Sequence, residues 1–563
     1  MNSQHSPSTS PTPDVHRTFG MTIHAMFTQA RLWQIFGLGV ASGFGFLIHR
    51  TPVTLWLISE GRSRTSIGLF AAVLLPYAFN FVWAPLVDHL RIPFVSRLGQ
   101  LRSWLFLSLV VMFGCTLGAS FLELPTHVTI KAPSIESSPT VNITEVRVQT
   151  GEYVEQGSVL FVVRAGSSTE SVSSPTSGRV INVSNVSGDV VKPDDPIVIL
   201  REEANNASVE PESDDQSAKR PNWLPEFSPL FILALLMVTL AFASATLDIA
   251  TAGYRITIIQ ENEGHLVGLA ASMEIAGWWA GFTLPAVAIV GTDFLGWSWP
   301  TVFKWLAVFF VLLILFLLFC TKEPQRPSHA ASRERGIDRI FDELIVKRLL
   351  GPVIEFFKRN GVALALCLLF FLVSFKLGEA FLGNMSTNFY KEVGFANTEL
   401  WLFSKLGNFA VIVPTTILAG MFVGRFKITP TLVVAGIAMA STNLMLSWMA
   451  IVGDSLVLYF FTILFDGITA AFSTVAFVTF ITMYTARLHA TTQYAAMASI
   501  ANSGRTVIAM LSGLVVDLLG GNWTLFFILT ALWIIPVMGI LHVLTRLVKL
   551  REGEGVQVKT YHE

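Results

Sequence analysis

The hydrophobic positions of this chain fall into long blocks, each about as long as the roughly 20 residues a helix needs to cross the hydrocarbon layer of a bilayer. Six such blocks lie near 33–58, 66–87, 103–122, 229–252, 265–291 and 300–320, and six more near 361–385, 399–424, 428–450, 455–483, 493–518 and 522–547. The pattern predicts an all-α membrane protein with twelve transmembrane helices in two six-helix halves. Two polar interruptions break it. The first, 123–228, is rich in Val, Ile, Ser and Thr with frequent Gly and Pro, the composition of short strands and turns, and predicts an inserted small all-β barrel-sandwich domain. The second, 321–360, is a basic linker. The expected divisions are a tail at 1–32, helices one to three at 33–122, the β domain with its linkers at 123–228, helices four to six at 229–320, the linker at 321–360, helices seven to twelve at 361–547 and a second tail at 548–563.

Composition supports lipid as the solvent: 52% of residues are hydrophobic and only 14% charged. A net charge of −1 leaves no basic face for a polyanion, which excludes a nucleic-acid partner. Cys115, Cys320 and Cys367 lie in or at the ends of apolar blocks, without disulfide or metal-ligand spacing. Residues 1–20 are polar and Ser/Pro-rich and lack the signature of a cleaved signal peptide, so the first apolar block stays in the membrane. No GxxxxGK[ST] signature occurs, so ATP does not drive the protein directly. No catalytic constellation, metal site or cofactor is expected, and the chain reads as a carrier and not an enzyme.

Lysine and arginine in short loops set orientation. With the N-terminus inside, the inner side holds Arg91, Arg97, Arg102, Arg425, Lys427, Arg487 and Arg546, and the linker adds Lys322, Arg326, Arg333, Arg335, Arg339, Lys347, Arg348, Lys358 and Arg359. The short outer loops hold little beyond Arg62, Arg64 and Lys391. Both termini are therefore expected to be cytoplasmic and 123–228 to lie outside.

The insert contains an internal repeat. ITEVRVQTGEYVEQGSVLFVV from Ile143 aligns with VINVSNVSGDVVKPDDPIVIL from Val180, 37 residues later, matching Val146 to Val183, Gly151 to Gly188, Val154 to Val191 and Leu160 to Ile197. Each half offers strand, glycine turn and strand. With APS at Ala132 and SSPTSGRV before the second half, the insert resembles the biotinyl/lipoyl-type domain. That family carries its cofactor on a lysine in the hairpin between the halves. Here the hairpin reads RAGSSTES, and no lysine occurs between Lys131 and Lys192, so an unmodified domain is expected. Unmodified domains of this shape also occur in adaptor proteins of efflux systems. Tyr153 and Phe161 are the only ring residues between 130 and 200, which favours a protein partner for 123–228 over a glycan.

Ionisable groups at membrane depth cost several kcal/mol unless paired or hydrated, so each needs a reason. Counting about 1.5 Å of rise per residue places Glu274, Asp466 and Arg505 nearest the midplane, with Lys376, Glu379, Lys405 and Arg50 further toward the outside. Lys376 and Glu379 are three apart on one helical face, and a purely structural ion pair is as good a reading as a functional one. Asp466 and Arg505 reach similar depth on consecutive helices, which allows a pair across the interface between them. Arg505, Lys376, Lys405 and Arg50 are candidates for holding acidic groups of a solute, and Glu379, Asp466 and Glu274 for carrying a proton. Asp248 and Arg255 share a face but are about 10 Å apart along the axis, so a gating network with the Arg91 loop is expected of them. The glycines of GLGVASGFGF, before His49 and Arg50, suit close helix packing. Trp278 and Trp279 read first as packing residues and second as a surface for stacking a sugar ring.

The stretch TSIGLFAAVLLPYAFNFVWAPLVDHLRIPFVSRLGQLRSW, from Thr65, ends in Asp88, Arg91, Arg97 and Arg102, an acid among arginines that suits a conformational clamp. It is similar to the loop between helices two and three of the major facilitator superfamily. More narrowly it resembles the AmpG family of anhydromuropeptide permeases, related to acetyl-CoA transporters. LDIATAGYR from Leu247, GPVIEFFKRN from Gly351, FKLGEA from Phe375 and the long stretch from Phe465 to Arg505 with its ATTQYA tract carry the same resemblance. The resemblance covers nearly all of 33–547 except the insert, which the family lacks. It implies a bacterial inner-membrane importer of GlcNAc-anhydroMurNAc peptides, coupled to protons, serving peptidoglycan recycling and beta-lactamase induction. The charges alone do not separate import from export of a drug-like or lipidic solute with the insert as an envelope adaptor; a non-transporting receptor is a further alternative, against which the acids and bases buried in helices four, five, seven, eight, ten and eleven favour transport.

Overall fold

A computed structural model of the 563-residue chain describes residues 24, 26, 28–49, 51–60, 73, 75–122, 124, 127–133, 141–165, 168–183, 187–191, 196–202, 229–286, 288, 291–292, 295–324, 348–395, 408–509, 511–556 and 558. Helices occupy the described parts of the predicted blocks. In the amino-terminal half these are α1 (Ala30–Ile48), α2 (Thr51–Ser59), α3 (Leu75–Phe79), α4 (Ala84–His89), α5 (Gln100–Ala119), α6 (Pro229–Ile258), α7 (Gly264–Thr283) and α8 (Trp299–Cys320). The linker supplies α9 (Arg348–Asn360). The carboxy-terminal half holds α10 (Val362–Phe375), α11 (Leu377–Val393), α12 (Asn408–Arg425), α13 (Ile428–Val452), α14 (Leu456–Met483), α15 (Ala490–Ala509), α16 (Ser512–Leu518), α17 (Trp523–Leu532) and α18 (Ile534–Gly553).

Among the described residues, nine helices are long and apolar enough to cross a membrane. The remaining three predicted spans contain shorter or more polar helices: α3 with α4, α7 with its Glu274 and paired tryptophans, and α12. Each half packs around its own core, one built on Leu38, Phe44, Leu109 and Phe310, the other on Leu368, Phe371, Leu432 and Leu541.

Lipid tails are as apolar as leucine, so helix association inside a membrane relies on close packing by small residues. The crossing of α1 and α7 shows this at backbone level. A Cβ on Gly39 would stand 2.3 Å from the Glu274 carbonyl oxygen, one on Gly43 1.9 Å from that of Trp278, one on Gly277 2.1 Å from that of Phe36 and one on Gly281 2.0 Å from that of Val40. Each helix thus presents two glycines four residues apart, and each pair is filled by the other helix's backbone. The packing role expected of GLGVASGFGF is what the structure contains.

The insert is a two-sheet barrel-sandwich. Its strands are β1 (His127–Lys131), β2 (Val141–Val146), β3 (Tyr153–Val154), β4 (Val159–Ala165), β5 (Ser168–Ser173), β6 (Gly178–Val183), β7 (Val190–Val191) and β8 (Pro196–Glu202). One sheet has the order β1-β8-β6-β3 and the other β5-β4-β2-β7. Exchanging β1 with β5, β2 with β6, β3 with β7 and β4 with β8 turns one sheet into the other, so the repeat is a two-fold pseudosymmetry. The halves interlock through equivalent hydrogen bonds: Gly151 N–H donates to Val180 O at 2.7 Å and Val180 N–H to Glu152 O at 2.8 Å, while Gly188 N–H donates to Ile143 O at 2.7 Å and Ile143 N–H to Asp189 O at 2.9 Å. Gly151 and Gly188 have φ of 94° and 103°, a left-handed backbone that favours glycine, which explains why both repeats carry it. The first and last strands are paired neighbours, His127 opposite Arg201.

Candidate functional site

Among the described residues, Asp248, Glu274, Glu379 and Asp466 and the cations Arg255, Lys376 and Arg505 group on two surfaces of the helical part. In the carboxy-terminal half the helix formed by α10 and α11 breaks at Lys376, whose φ of −97° and ψ of 8° leave the helical path. Discontinuous helices at mid-membrane free polar groups to face a solute. Lys376 is 2% exposed, and its ammonium donates to Glu379, to Ser473 Oγ at 2.8 Å and to Thr474 Oγ1 at 2.9 Å. All three of its protons are used. Glu379, with 29% side-chain exposure, turns toward a cleft lined by Phe375, Thr442, Asn443, Asp466, Thr530 and Trp533. Asp466 sits beside Thr442, and no cation lies within ion-pair distance of it among the described residues. The pair that similar depth allows between Asp466 and Arg505 does not form. Arg505 is half-buried on α15 and makes no hydrogen bond or ion pair with the described residues, although it is near enough to Lys376 to repel it. The two candidates Arg50 and Lys405 lie outside the described residues.

In the amino-terminal half, Arg255 on α6 is 1% exposed and pairs with Glu274 on α7. It also donates to Thr482 Oγ1 of α14 at 2.8 Å and stands 5.3 Å from the ring centre of Tyr494 on α15, so it bridges the two halves. Asp248 does not join the Arg91 loop; it accepts from Ser42 Oγ of α1 at 2.6 Å. The sequence spacing placed Asp248 and Arg255 too far apart to pair, and each has indeed found a partner on another helix. Glu274 as the partner of Arg255 was not foreseen, because pairing across α6 and α7 leaves no spacing signal.

At the end of the bundle where α1 begins and α18 ends, contacts bridge the two halves. Asp88, 6% exposed at the end of α4, accepts from Thr492 N–H at 2.9 Å, Thr492 Oγ1 at 2.7 Å and Thr491 N–H at 3.4 Å. These amides open α15, where unsatisfied N–H groups and the helix dipole favour an anion. Ser499 Oγ donates to Asn80 Oδ1 at 2.8 Å, and Arg487 to Thr257 O at 2.8 Å, across the same seam. Asp88 thus clamps through a helix N-terminus and not through an arginine network: Arg91 and Arg97 are exposed and make no ion pair with it. Arg102 acts within its own half, donating to Leu317 O at 3.0 Å, Leu318 O at 3.1 Å and Thr321 Oγ1 at 3.1 Å at the end of α8. Glu323 answers it by accepting from the first amides of α5, Gln100 at 2.8 Å, Leu101 at 3.0 Å and Arg102 at 3.0 Å.

The ATTQYA tract is the hub of this seam. Thr491 and Thr492 hold Asp88, and Gln493 donates to Pro352 O at 3.0 Å and to Glu355, tying α9 to the bundle. Two of the tracts that carry the family resemblance, GPVIEFFKRN and ATTQYA, therefore meet. Beside the seam Arg31 and Glu263 form a two-pronged pair at 2.7 and 2.5 Å. Burial pushes the Glu263 carboxyl up, but Arg31 and the Gln260 N–H outweigh it and hold the group below its ordinary value.

Residues 222–509, just over half of the chain, match the Major Facilitator Superfamily. The chain belongs to that superfamily. The fold agrees with solved members: the proton:xylose symporter XylE covers 96% of this chain and 97% of its own at a TM-score of 0.52 and 11% identity, and the human organic anion transporter TETRAN 94% and 100% at 0.50 and 12%. Among curated proteins, the putative transporter AmpG 4 of Rickettsia conorii is 23% identical over 525 residues, 92% of this chain and 98% of its own. The anhydromuropeptide permease of Escherichia coli K12 is 21% identical over 515 residues, 91% of this chain and 79% of its own. This major facilitator is thus an AmpG-like multi-pass membrane transporter and not an enzyme. Residues 128–200 match a domain described as that of biotin-requiring enzymes. The hairpin between β4 and β5, where such domains carry their group on lysine, contains none, so the domain does not fit a swinging cofactor.

Proposed function

We propose that this transporter imports anhydromuropeptides, disaccharides with an anhydro-muramoyl end and an acidic peptide, from periplasm to cytoplasm by proton symport across a bacterial inner membrane. In that setting it serves peptidoglycan recycling and supplies the signal for beta-lactamase induction. Both termini and the sealed seam face the cytoplasm, and the β domain faces the periplasm, where it meets a protein partner. The observation that supports the cargo is the likeness to AmpG permeases along nearly the whole chain, combined with a half-buried Arg505 that makes no hydrogen bond or ion pair with the described residues.

The residues divide the work as follows. Arg505 holds carboxylates of the peptide, and Lys376 exchanges Glu379 for cargo as the halves move. Asp466 takes the proton, since protonating it breaks no ion pair, whereas Glu274 and Glu379 each have a cation to lose. Protonation leaves the Lys376 and Arg505 surface more positive and so favours an acidic cargo. The bridge from Arg255 to Glu274 and Thr482, with the Asp88 clamp, holds the cytoplasmic side shut until cargo and proton are aboard. Arg91, Arg97 and Arg102 keep that side cationic and oriented.

Uptake of labelled anhydromuropeptide by cells that lack their own permease and express this chain tests the reading. Accumulation is expected; absence of uptake with normal membrane insertion sinks it. Asp466→Asn is expected to stop uptake against a gradient while preserving exchange of cargo across the membrane.

A further inference from the structure

The amino-terminal half contains a surface that the charge chemistry above leaves unused. Ser42 and Phe46 are four residues apart on α1, Ser244 and Asp248 four apart on α6, and Glu274, Trp278 and Phe282 follow at the same interval on α7, so each set shares a helix face. The three faces meet. Phe46 lies 5.0 Å from Tyr77 and 5.4 Å from Trp278, ring centre to ring centre, and Trp278 stacks on Phe282 at 5.1 Å. Tyr77 Oη donates to Ser244 Oγ at 2.6 Å, and Ser42 Oγ to Asp248 at 2.6 Å.

This surface faces the interior of the bundle, because Glu274 on the same face as Trp278 pairs with the buried Arg255. It is not closed packing either. Phe46, Tyr77, Asp248, Glu274, Trp278 and Phe282 all keep partial exposure, whereas the packing aromatics Phe44, Trp56 and Phe303 have 0%, 1% and 0%. Among the described residues Asp248 has no cation within ion-pair distance and no hydrogen-bond donor besides Ser42, which leaves acceptor capacity on its carboxylate.

We infer that this surface is a saccharide subsite: a pyranose ring stacks on Trp278 with Phe46 at its edge, and its hydroxyls donate to Asp248 and Glu274. An aromatic face takes the apolar C–H face of a sugar, and carboxylates take its O–H donors. The charge balance gives the cargo a direction. Among the described residues Asp248 and Glu274 against Arg255 leave the amino-terminal surface one charge negative, which disfavours peptide carboxylates, whereas Lys376 and Arg505 balance Glu379 and Asp466 on the other surface and exceed them once Asp466 takes its proton. The disaccharide end therefore docks on the amino-terminal half and the peptide end on the carboxy-terminal half. The inference rests on the proposed cargo, yet it is testable separately from transport.

The test is binding of three radiolabelled probes to the purified full-length chain: the disaccharide without peptide, the peptide without sugar, and the conjugate. Trp278→Ala is expected to weaken the disaccharide about tenfold and the conjugate similarly, leaving the free peptide within twofold. Trp278→Phe, which keeps a ring, restores most of the affinity and excludes misfolding as the cause, and Asp248→Asn repeats the disaccharide-selective loss. Disaccharide binding that is absent from the unaltered chain, or that Trp278→Ala leaves unchanged, overturns the subsite even where the conjugate is transported. Selective loss in a chain that fails to transport the conjugate upholds the subsite and overturns the proposed cargo. Equal loss of disaccharide and peptide binding reduces Trp278 to a packing residue and also overturns it.

Discussion

Removing the Asp88 carboxylate should open the sealed seam, and the size of the effect follows from its partners. Asp88 accepts from two backbone amides and one hydroxyl at the start of α15, all buried. A side-chain cap on a helix N-terminus contributes about 1 kcal/mol, and a partly buried charge at that dipole adds up to about 2. Taking about 2 kcal/mol as the loss in Asp88→Ala, the balance between sealed and opened seam moves roughly 30-fold, since about 1.4 kcal/mol is a factor of ten. Ala495 reports on it: it lies one turn from Thr492, is 1% exposed and packs into the core of the other half. On a background with Cys115, Cys320 and Cys367 replaced, Ala495→Cys should react with a water-soluble maleimide about 30 times faster when Asp88 is alanine. Asp88→Asn, which keeps an acceptor but loses the charge, should fall between. Unchanged labelling in both variants would refute the view that this contact holds the seam.

Gly277→Ala and Gly281→Ala place a Cβ near 2 Å from a carbonyl of α1, so each should destabilise the folded carrier by about 1–3 kcal/mol or more, read as a lower melting temperature, while Gly114→Ala, with nothing within 4 Å, should not. Because the Glu263 carboxyl is held below its ordinary value, its stabilising contribution is complete above the ordinary carboxylate range and is lost as pH falls through the depressed folded value; the melting temperature of Glu263→Gln should vary less over that acid range than the parent's. Excising 130–203 removes most of a domain that has its own core, so the shortened chain should insert and transport at near-normal rate; lost uptake with intact insertion would give the domain a direct part in transport.

Much of the fold is readable from the chain because lipid imposes long apolar blocks, and the β repeat is readable because its glycine turns need a left-handed backbone at Gly151 and Gly188. The Lys376–Glu379 pair is local and visible in its three-residue spacing. Contacts between helices far apart in sequence are not visible: Arg255 with Glu274 and Thr482, Asp248 with Ser42, and Asp88 with Thr492 each join different helices. The Asp466–Arg505 pair fails to form for the same reason, since equal depth fixes height along the membrane normal but not rotation about each helix axis. Gln493 lies within the ATTQYA tract, and nothing in its spacing marks it as the residue that ties α9 to the seam. The backbone contact of α1 with α7 is half visible, as a glycine run on one helix, while its counterpart, Gly277 and Gly281, flanks the bulky Trp278 and Trp279 and forms no such run.

The central claim is that this major facilitator moves an acidic disaccharide-peptide together with a proton. Purified protein in proteoliposomes, given labelled anhydromuropeptide outside and an inward proton gradient, measures that most directly. Accumulation above the external concentration, collapsing when a protonophore dissipates the gradient and absent in Asp466→Asn, is the predicted result. Equilibration without accumulation, or accumulation that ignores the proton gradient, would contradict it.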